Sequence, residues 1–348
     1  DLFVIFDTVS GAALTILSTV AMSIVLDSIG FFKWAAHNIV QRSNGSGTRL
    51  FWYIVSLCFL MTLFFNNDGS ILITTPIIIR IVTVLNLKPH QKLPYLFAGA
   101  LIATASSAPI GVSNLANLIA LEIVGLDLNT YALYMFVPSM IGISTIAVLL
   151  FYYFRKDIPA SISLPQHLGI EYASEYDHPL KKSPLEPLTF DWSLFRLCIF
   201  IVVFIRAGFF LGSSLNIPIE IIGIGGAAAL VLIRKIRTGI GMHDLMVKTP
   251  WHILLFAFSI YVIVFALQNV GMTRVLVDYL EGWMQQGHMT AIFGTGILLS
   301  VMSNLMNNLP SVMIGTLSLT EMNIDLSTMK VAYLANIIGS DIGSLLTP

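Results

Sequence analysis

Residues 63–79 read LFFNNDGSILITTPIII. Asn66-Asn67-Asp68-Gly69 would be an ordinary turn in water, but here it interrupts an apolar run long enough to enter a bilayer. In hydrocarbon each unpaired backbone or side-chain polar group costs several kcal/mol, so the turn needs internal partners or a polar cavity. The rest of the chain decides whether hydrocarbon is the solvent. Of its 348 residues 56% are hydrophobic and only 11% charged, and apolar stretches recur from residue 8 to the end, the pattern of a polytopic membrane protein. A formal net charge of -1 gives no basic surface for nucleic acid, so the positive charges are read by where they fall. The two cysteines, Cys58 and Cys198, lie in separate apolar segments, which fits neither a disulfide framework nor a thiolate cage. The chain begins at Asp1 and stops at Leu-Leu-Thr-Pro inside an apolar region, and reads as trimmed at both ends.

Apolar segments fall near 8–31, 49–65, 70–86, 93–125, 130–154, 193–212, 217–233, 250–270, 289–305, 310–321 and 328–348. Several are shorter than the ~20 residues a crossing helix needs. Cytoplasmic flanks collect Lys and Arg. Lys33, Arg42 and Arg49 precede the pair around Asn66, and Lys88 and Lys92 follow it, so both flanks read as cytoplasmic and the pair as a re-entrant hairpin from inside. Residues 93–154 hold no Lys or Arg, and Arg155-Lys156 then open a cytoplasmic stretch, 155–192. The pair 289–305 and 310–321 is flanked by Glu281, Glu321 and Asp325, with Arg274 the nearest exception, and reads as a second hairpin entering from outside.

The two tips match in sequence. NNDGSILITT from Asn66 and NNLPSVMIGT from Asn307 share Asn-Asn, Ser, Ile and Thr at equal offsets. Each hairpin is followed by an apolar stretch with a polar break, SSAPIGVSNLAN at 106–117 and GSDIGSLLTP at 339–348. The predicted fold is therefore all-α: an inverted-repeat secondary transporter with two re-entrant hairpins and two broken transmembrane helices, the first repeat at 1–154 and the second at 193–348. Ionisable groups inside a membrane mark function, which singles out Asp68 and Asp341, although Asp68 also suits an N-cap. Asp27 and Arg206 read as structural, Asp27 near the cytoplasmic end of its helix and Arg206 either pairing with Glu220 or reaching a membrane boundary. No histidines stand at metal-ligand spacing.

At these residues a resemblance becomes specific. FFNNDGSILITTPI, SNLANLIA, PWHILLFAFSIYVIVFALQNVGMT, NNLPSVMIGTLSL and ANIIGSDIGSLLTP, with GIGMHDLMVKTPW ahead of the third, resemble the arsenite efflux permeases of the ArsB type, within the larger ion transporter superfamily. The resemblance runs through nearly the whole chain, except that Phe65-Asn66-Asn67 stands where those permeases commonly have a small residue and a single Asn. It implies a multi-pass protein of the bacterial inner membrane that exports arsenite, and antimonite, in exchange for protons, in some members with a soluble ATPase partner, and with no cofactor. Trivalent arsenic is an uncharged trihydroxide at neutral pH, and hydroxyl and amide groups can surround it by hydrogen bonds. The expected lining is Asn66, Asn67, Ser70, Ser113, Asn114, Asn117, Asn307, Asn308 and Asn336, with Asp68 favoured as proton carrier and Asp341 as the other candidate. A sodium/proton antiporter or a dicarboxylate carrier of the same superfamily would share the fold; dicarboxylate carriers usually show Ser-Asn-Thr where Ser113-Asn114-Leu115 stands. A channel and an intramembrane protease are more remote readings, the latter because only Gly339-Ser340-Asp341 faintly suggests its motif.

Overall fold

The computed structural model describes residues 2–164, 191–271 and 273–343, and within these every regular element is helical. In the first half α1 spans Leu2–Ser28, α2 Phe31–Ser43, α3 Gly47–Phe64, α4 Asn67–Val84 and α5 Pro89–Ala105. A 3-10 turn, Gly111–Ser113, leads into α6, Leu115–Val124, and α7 spans Leu128–Phe154. The second half holds α8 (Trp192–Ser214), α9 (Ile219–Thr238), α10 (His243–Lys248), α11 (His252–Asn269), α12 (Thr273–Met284), α13 (His288–Met306), α14 (Asn308–Glu321) and α15 (Leu326–Gly343). Among the described residues seven helical stretches are long and apolar enough to cross a bilayer. The protein is an all-α polytopic membrane protein. The second polar stretch does not open as a break where it is expected: residues 339–343 continue α15 without interruption, the small Gly339, Ser340 and Gly343 being accommodated by close helix packing, while 344–348 and much of the predicted 155–192 stretch lie outside the described residues.

The outer surface is the apolar one. Leu133, Val137, Ile141 and Leu149 stand at multiples of four residues on α7 and are all exposed, while Met135, Ser139, Ile143 and Ala147 on the other face are buried. A bare aliphatic stripe at helical spacing would be an aggregation hazard in water and is the ordinary lipid-facing side of a membrane helix. On α8 the exposed Phe200, Phe204 and Leu211 likewise oppose buried Cys198, Val202 and Phe209.

Besides the six-residue α10, two helices were not foreseen. α2, FFKWAAHNIVQRS, buries Phe32, Ala35, Ala36, Val40 and Ser43 along one face, and α12, TRVLVDYLEGWM, buries Thr273, Leu280 and Met284. Both are short and amphipathic, the pattern of helices lying in a membrane interface, and each directly precedes a hairpin. The order from α1 to α5 then recurs from α11 to α15: long helix, amphipathic helix, a pair with an Asn-Asn turn, long helix. The step from Gly47 to Asn67 equals that from His288 to Asn308.

Lengths mark the irregular pieces. α14 has 14 residues and α6 has 10, so they reach only ~21 Å and ~15 Å at 1.5 Å per residue, short of the ~30 Å hydrocarbon core. The break after α5 comes where Pro109 follows Ser106-Ser107-Ala108; the Tyr131 hydroxyl donates to the Ala108 carbonyl at 2.7 Å, satisfying backbone freed by the break.

The tightest junction is between α13 and α15. A Cβ on Gly339 would collide with the backbone of Gly296, and one on Gly343 with the backbone of Ser300. Small residues four apart on both helices let the backbones touch, the small-xxx-small packing of membrane helices. Ser303 donates from its hydroxyl to the Ser340 carbonyl at 2.7 Å in the same seam.

Candidate functional site

The two hairpin tips are built differently. At the first, Asn66 is the N-cap of α4: its Oδ1 accepts the Gly69 N–H at 2.5 Å, and its Nδ2 donates to Thr19 Oγ1 on α1 at 3.0 Å. The cap is thus Asn66 and not Asp68, and its amide is committed to holding α4 against α1. Asn67 is buried, and its Oδ1 accepts the Asp68 N–H at 2.8 Å. The Asp68 carboxylate is half-buried and has no hydrogen-bond partner among the described residues, and Ser70 Oγ is buried without one. At the second tip Asn307 is exposed, takes a left-handed φ of 82°, and accepts the Asn308 N–H on Oδ1 at 2.6 Å.

The polar groups converge on Asp341. This residue of α15 is fully buried between Gly339 and Gly343. Asn114 donates from Nδ2 to its Oδ1 at 2.8 Å, Asn117 from Nδ2 to its Oδ2 at 2.9 Å, and the Ser107 hydroxyl lies 3.1 Å from the same Oδ2. The Asn308 side chain reaches it from the second tip, and the phenols of Tyr131 and Tyr333 stand within its electrostatic reach. Asn114 serves twice, since its Oδ1 also caps α6 by accepting the Ala116 N–H at 3.0 Å. The positive end of a half-helix therefore faces the carboxylate, the usual way broken membrane helices meet an ion or anion. These donors are neutral hydroxyls and amides, drawn from the break after α5 and from α6 on one side and from α14 on the other.

Of the residues singled out by sequence, Asn114, Asn117, Asn308 and Asp341 meet at this point. Ser113 sits in the 3-10 turn beside it, with Oγ buried and unpartnered. Asn336, one turn before Ser340, is spent on α14: its Nδ2 donates to Val312 O at 3.0 Å and Thr316 Oγ1 at 3.1 Å. Asn66, Asn67, Asp68 and Ser70 form a separate cluster at the first tip. Ser107 and Tyr333 were not singled out; Ser107 lay inside the quoted break, but nothing in the sequence picks Tyr333 from other tyrosines. Asn117 Oδ1, Ser113 Oγ and Tyr333 Oη are all buried without partners among the described residues, so the neighbourhood of Asp341 holds spare hydrogen-bonding capacity. Cys58 and Cys198 are buried free thiols, on α3 and α8, and neither belongs to this set. Among the described residues no group of His, Cys, Asp and Glu could hold a metal ion.

Comparison with known proteins agrees with this arrangement. The family model described as arsenical pump membrane protein matches residues 1–348. A protein of Bacillus subtilis (strain 168), named as a candidate arsenical pump membrane protein, is 48% identical over 352 residues, covering 100% of this chain and 79% of its own length. The arsenical pump membrane protein of Escherichia coli (strain K12) is 33% identical over 348 residues, with 100% of this chain and 78% of the relative covered. A 46 kDa membrane protein of Mycobacterium leprae (strain TN) is 21% identical over 340 residues, covering 95% of this chain and 74% of the relative. The chain, a multi-pass α-helical membrane protein, belongs to the arsenical pump membrane protein family.

Proposed function

We propose that the protein exports arsenite, and antimonite as a close analogue, as the neutral trihydroxide in exchange for protons, and that Asp341 is the group that takes up the proton. The observation that carries this reading is the fully buried Asp341 carboxylate held by Ser107, Asn114 and Asn117 across the halves of the chain. An ionised carboxylate accepts hydrogen bonds only, so it can receive the O–H groups of a trihydroxide beside the amide donors already there. A proton on the same oxygens removes one acceptor and adds a donor. Proton and substrate then compete for one site, which is the requirement for exchange. Asn117 Oδ1 and Ser113 Oγ supply further contacts to substrate oxygens. A buried carboxylate disfavours a dicarboxylate by like-charge repulsion, and weak hydroxyl and amide contacts permit release where several thiolates would not. One proton moving inward per neutral molecule transfers one unit charge, which draws about 2.3 kcal/mol from each 100 mV of membrane potential.

In everted membrane vesicles from cells expressing the protein, labelled arsenite should accumulate when the lumen is acid and should leave on addition of a protonophore. Accumulation driven by a sodium gradient alone, or unaffected by the protonophore, would exclude this coupling.

We also infer that 1–154 and 193–348 are repeats of opposite orientation joined through 155–192. Three features support this: the recurrent helix order, the short α14 and α6, and the unlike charge flanks of the hairpins. Single cysteines at exposed Thr48 and His90 should react with an impermeant maleimide only from the cytoplasm, and one at exposed Asn323 only from outside. Reaction of the first two from opposite faces would remove the re-entrant hairpin.

A further inference from the structure

Arg206 lies within α8, a candidate membrane span that belongs to neither hairpin, and its side chain is buried. Its Nε donates to the Phe64 carbonyl at 2.5 Å and its Nη2 to the Phe65 carbonyl, and its guanidinium carbon stands 5.6 Å from the centre of the Phe209 ring. The last carbonyls of any helix lack intrahelical partners and form its negative end. At the C-terminus of α3 one planar fork serves two consecutive carbonyls of this kind. Glu220, the partner expected from charge alone, packs its carboxylate against Gly11 instead.

The position of the fork gives it more than a packing role. Phe65 directly precedes Asn66, so a fork across the carbonyls of residues 64 and 65 fixes the peptide planes entering the tip. Asn66 is tied on its other side to Thr19 of α1. The first turn of α4, with Asn67 and Asp68, is thereby held between α1 and α8, and its orientation depends on both. Arg206 also keeps a buried Nη1 without a partner among the described residues, so its hydrogen bonding is not exhausted in this arrangement.

We propose that Arg206 is a positioning residue for transport, holding the first hairpin tip in register from α8 so that Asn67 and Asp68 present their polar groups to the translocation route. The transport arm of the test rests on the arsenite reading above; the structural arm does not. Arg206→Met should raise the hydrogen-exchange rate of the Asn67–Ser70 amides in detergent by about tenfold, as expected when hydrogen bonds to a charged group are lost, and should leave the α13–α15 seam unchanged. In vesicles the same variant should raise the KM for arsenite by about tenfold per folded molecule. Arg206→Lys should restore part of both, since an ammonium can serve one carbonyl but cannot fork across two. Unchanged exchange at the tip in Arg206→Met would overturn the proposal. So would a loss of transport that tracks only the amount of folded protein at constant KM, because a purely structural arginine predicts that result.

Discussion

Asp341→Asn should reduce proton-driven accumulation of arsenite in everted vesicles to the background of vesicles lacking the protein. The substitution keeps volume and polarity but changes two things at once. Asparagine cannot carry a proton, which removes exchange. It also presents an NH2 group where Ser107, Asn114 and Asn117 all offer donors, so at least one buried donor loses its acceptor, at about 1–3 kcal/mol. Two further measurements separate these effects. Exchange of labelled for unlabelled arsenite, with no gradient, should persist in Asp341→Asn if proton carriage is the chief loss. Asp341→Glu retains a titratable group and should keep measurable coupled transport, slowed by its extra methylene in a packed seam. Asp68→Asn should be the milder change, because no donor among the described residues points at that carboxylate. Uphill accumulation by Asp341→Asn at the wild-type rate would move the coupling role away from this residue, and Asp68 would be the next to test.

That ranking reverses the order suggested by sequence, for a physical reason. The prominence of Asp68 came from its place in a polar turn between apolar runs, a local signal. The prominence of Asp341 comes from Ser107, 234 residues away, and from Asn114 and Asn117, 227 and 224 residues away. Each of those residues was visible as a polar break, but no periodicity tells which side chain opposes which across a fold. The same limit applies to Arg206. Reading by charge pairs it with Glu220, whereas backbone carbonyls at a helix end are invisible in composition yet attract a guanidinium as strongly as many side chains. Hydropathy located the long spans because bilayer length is a strict constraint, whereas the break near 106–117 was marked by Pro109 and the Ser, Gly and Asn residues around it, inside a run that hydropathy reads as one segment. Hydropathy passed over α2 and α12 because a short amphipathic helix has an apolar face but an ordinary mean composition, and Lys33 and Arg42 read as loop flanks rather than as residues of a helix. Asn66 as a cap and Asn66 as a binding group are equally polar in sequence; only its bonds to Thr19 and Gly69 assign its amide to the fold.

Gly339→Leu should prevent accumulation of stably folded protein, because the residue stands where two helix backbones touch. Between membrane helices there is no hydrophobic driving force beyond what lipid already offers, so α13 and α15 associate through close packing and the Ser303 to Ser340 bond. A leucine at 339 would have to occupy the space of the Gly296 backbone, and nothing there is the flexible end of a side chain that could turn aside. Overpacking of this kind costs about 1–3 kcal/mol in a core that can relax and more in one that cannot. Separation of the helices would also carry Asp341 away from Asn114 and Asn117, so any molecules that fold should transport poorly. Gly225→Leu is the matching control: its Cβ would meet no atom within 4 Å, and the residue is exposed. Melting temperature by fluorescence-detected size exclusion should fall steeply for Gly339→Leu and stay near wild type for Gly225→Leu. Gly339→Ala should lie between them, since a single methyl already meets the Gly296 carbonyl. Equal stability of the two leucine variants would mean that the α13–α15 seam is not closed in the membrane, and the geometry around Asp341, which hangs from that seam between Gly339 and Gly343, would lose its support.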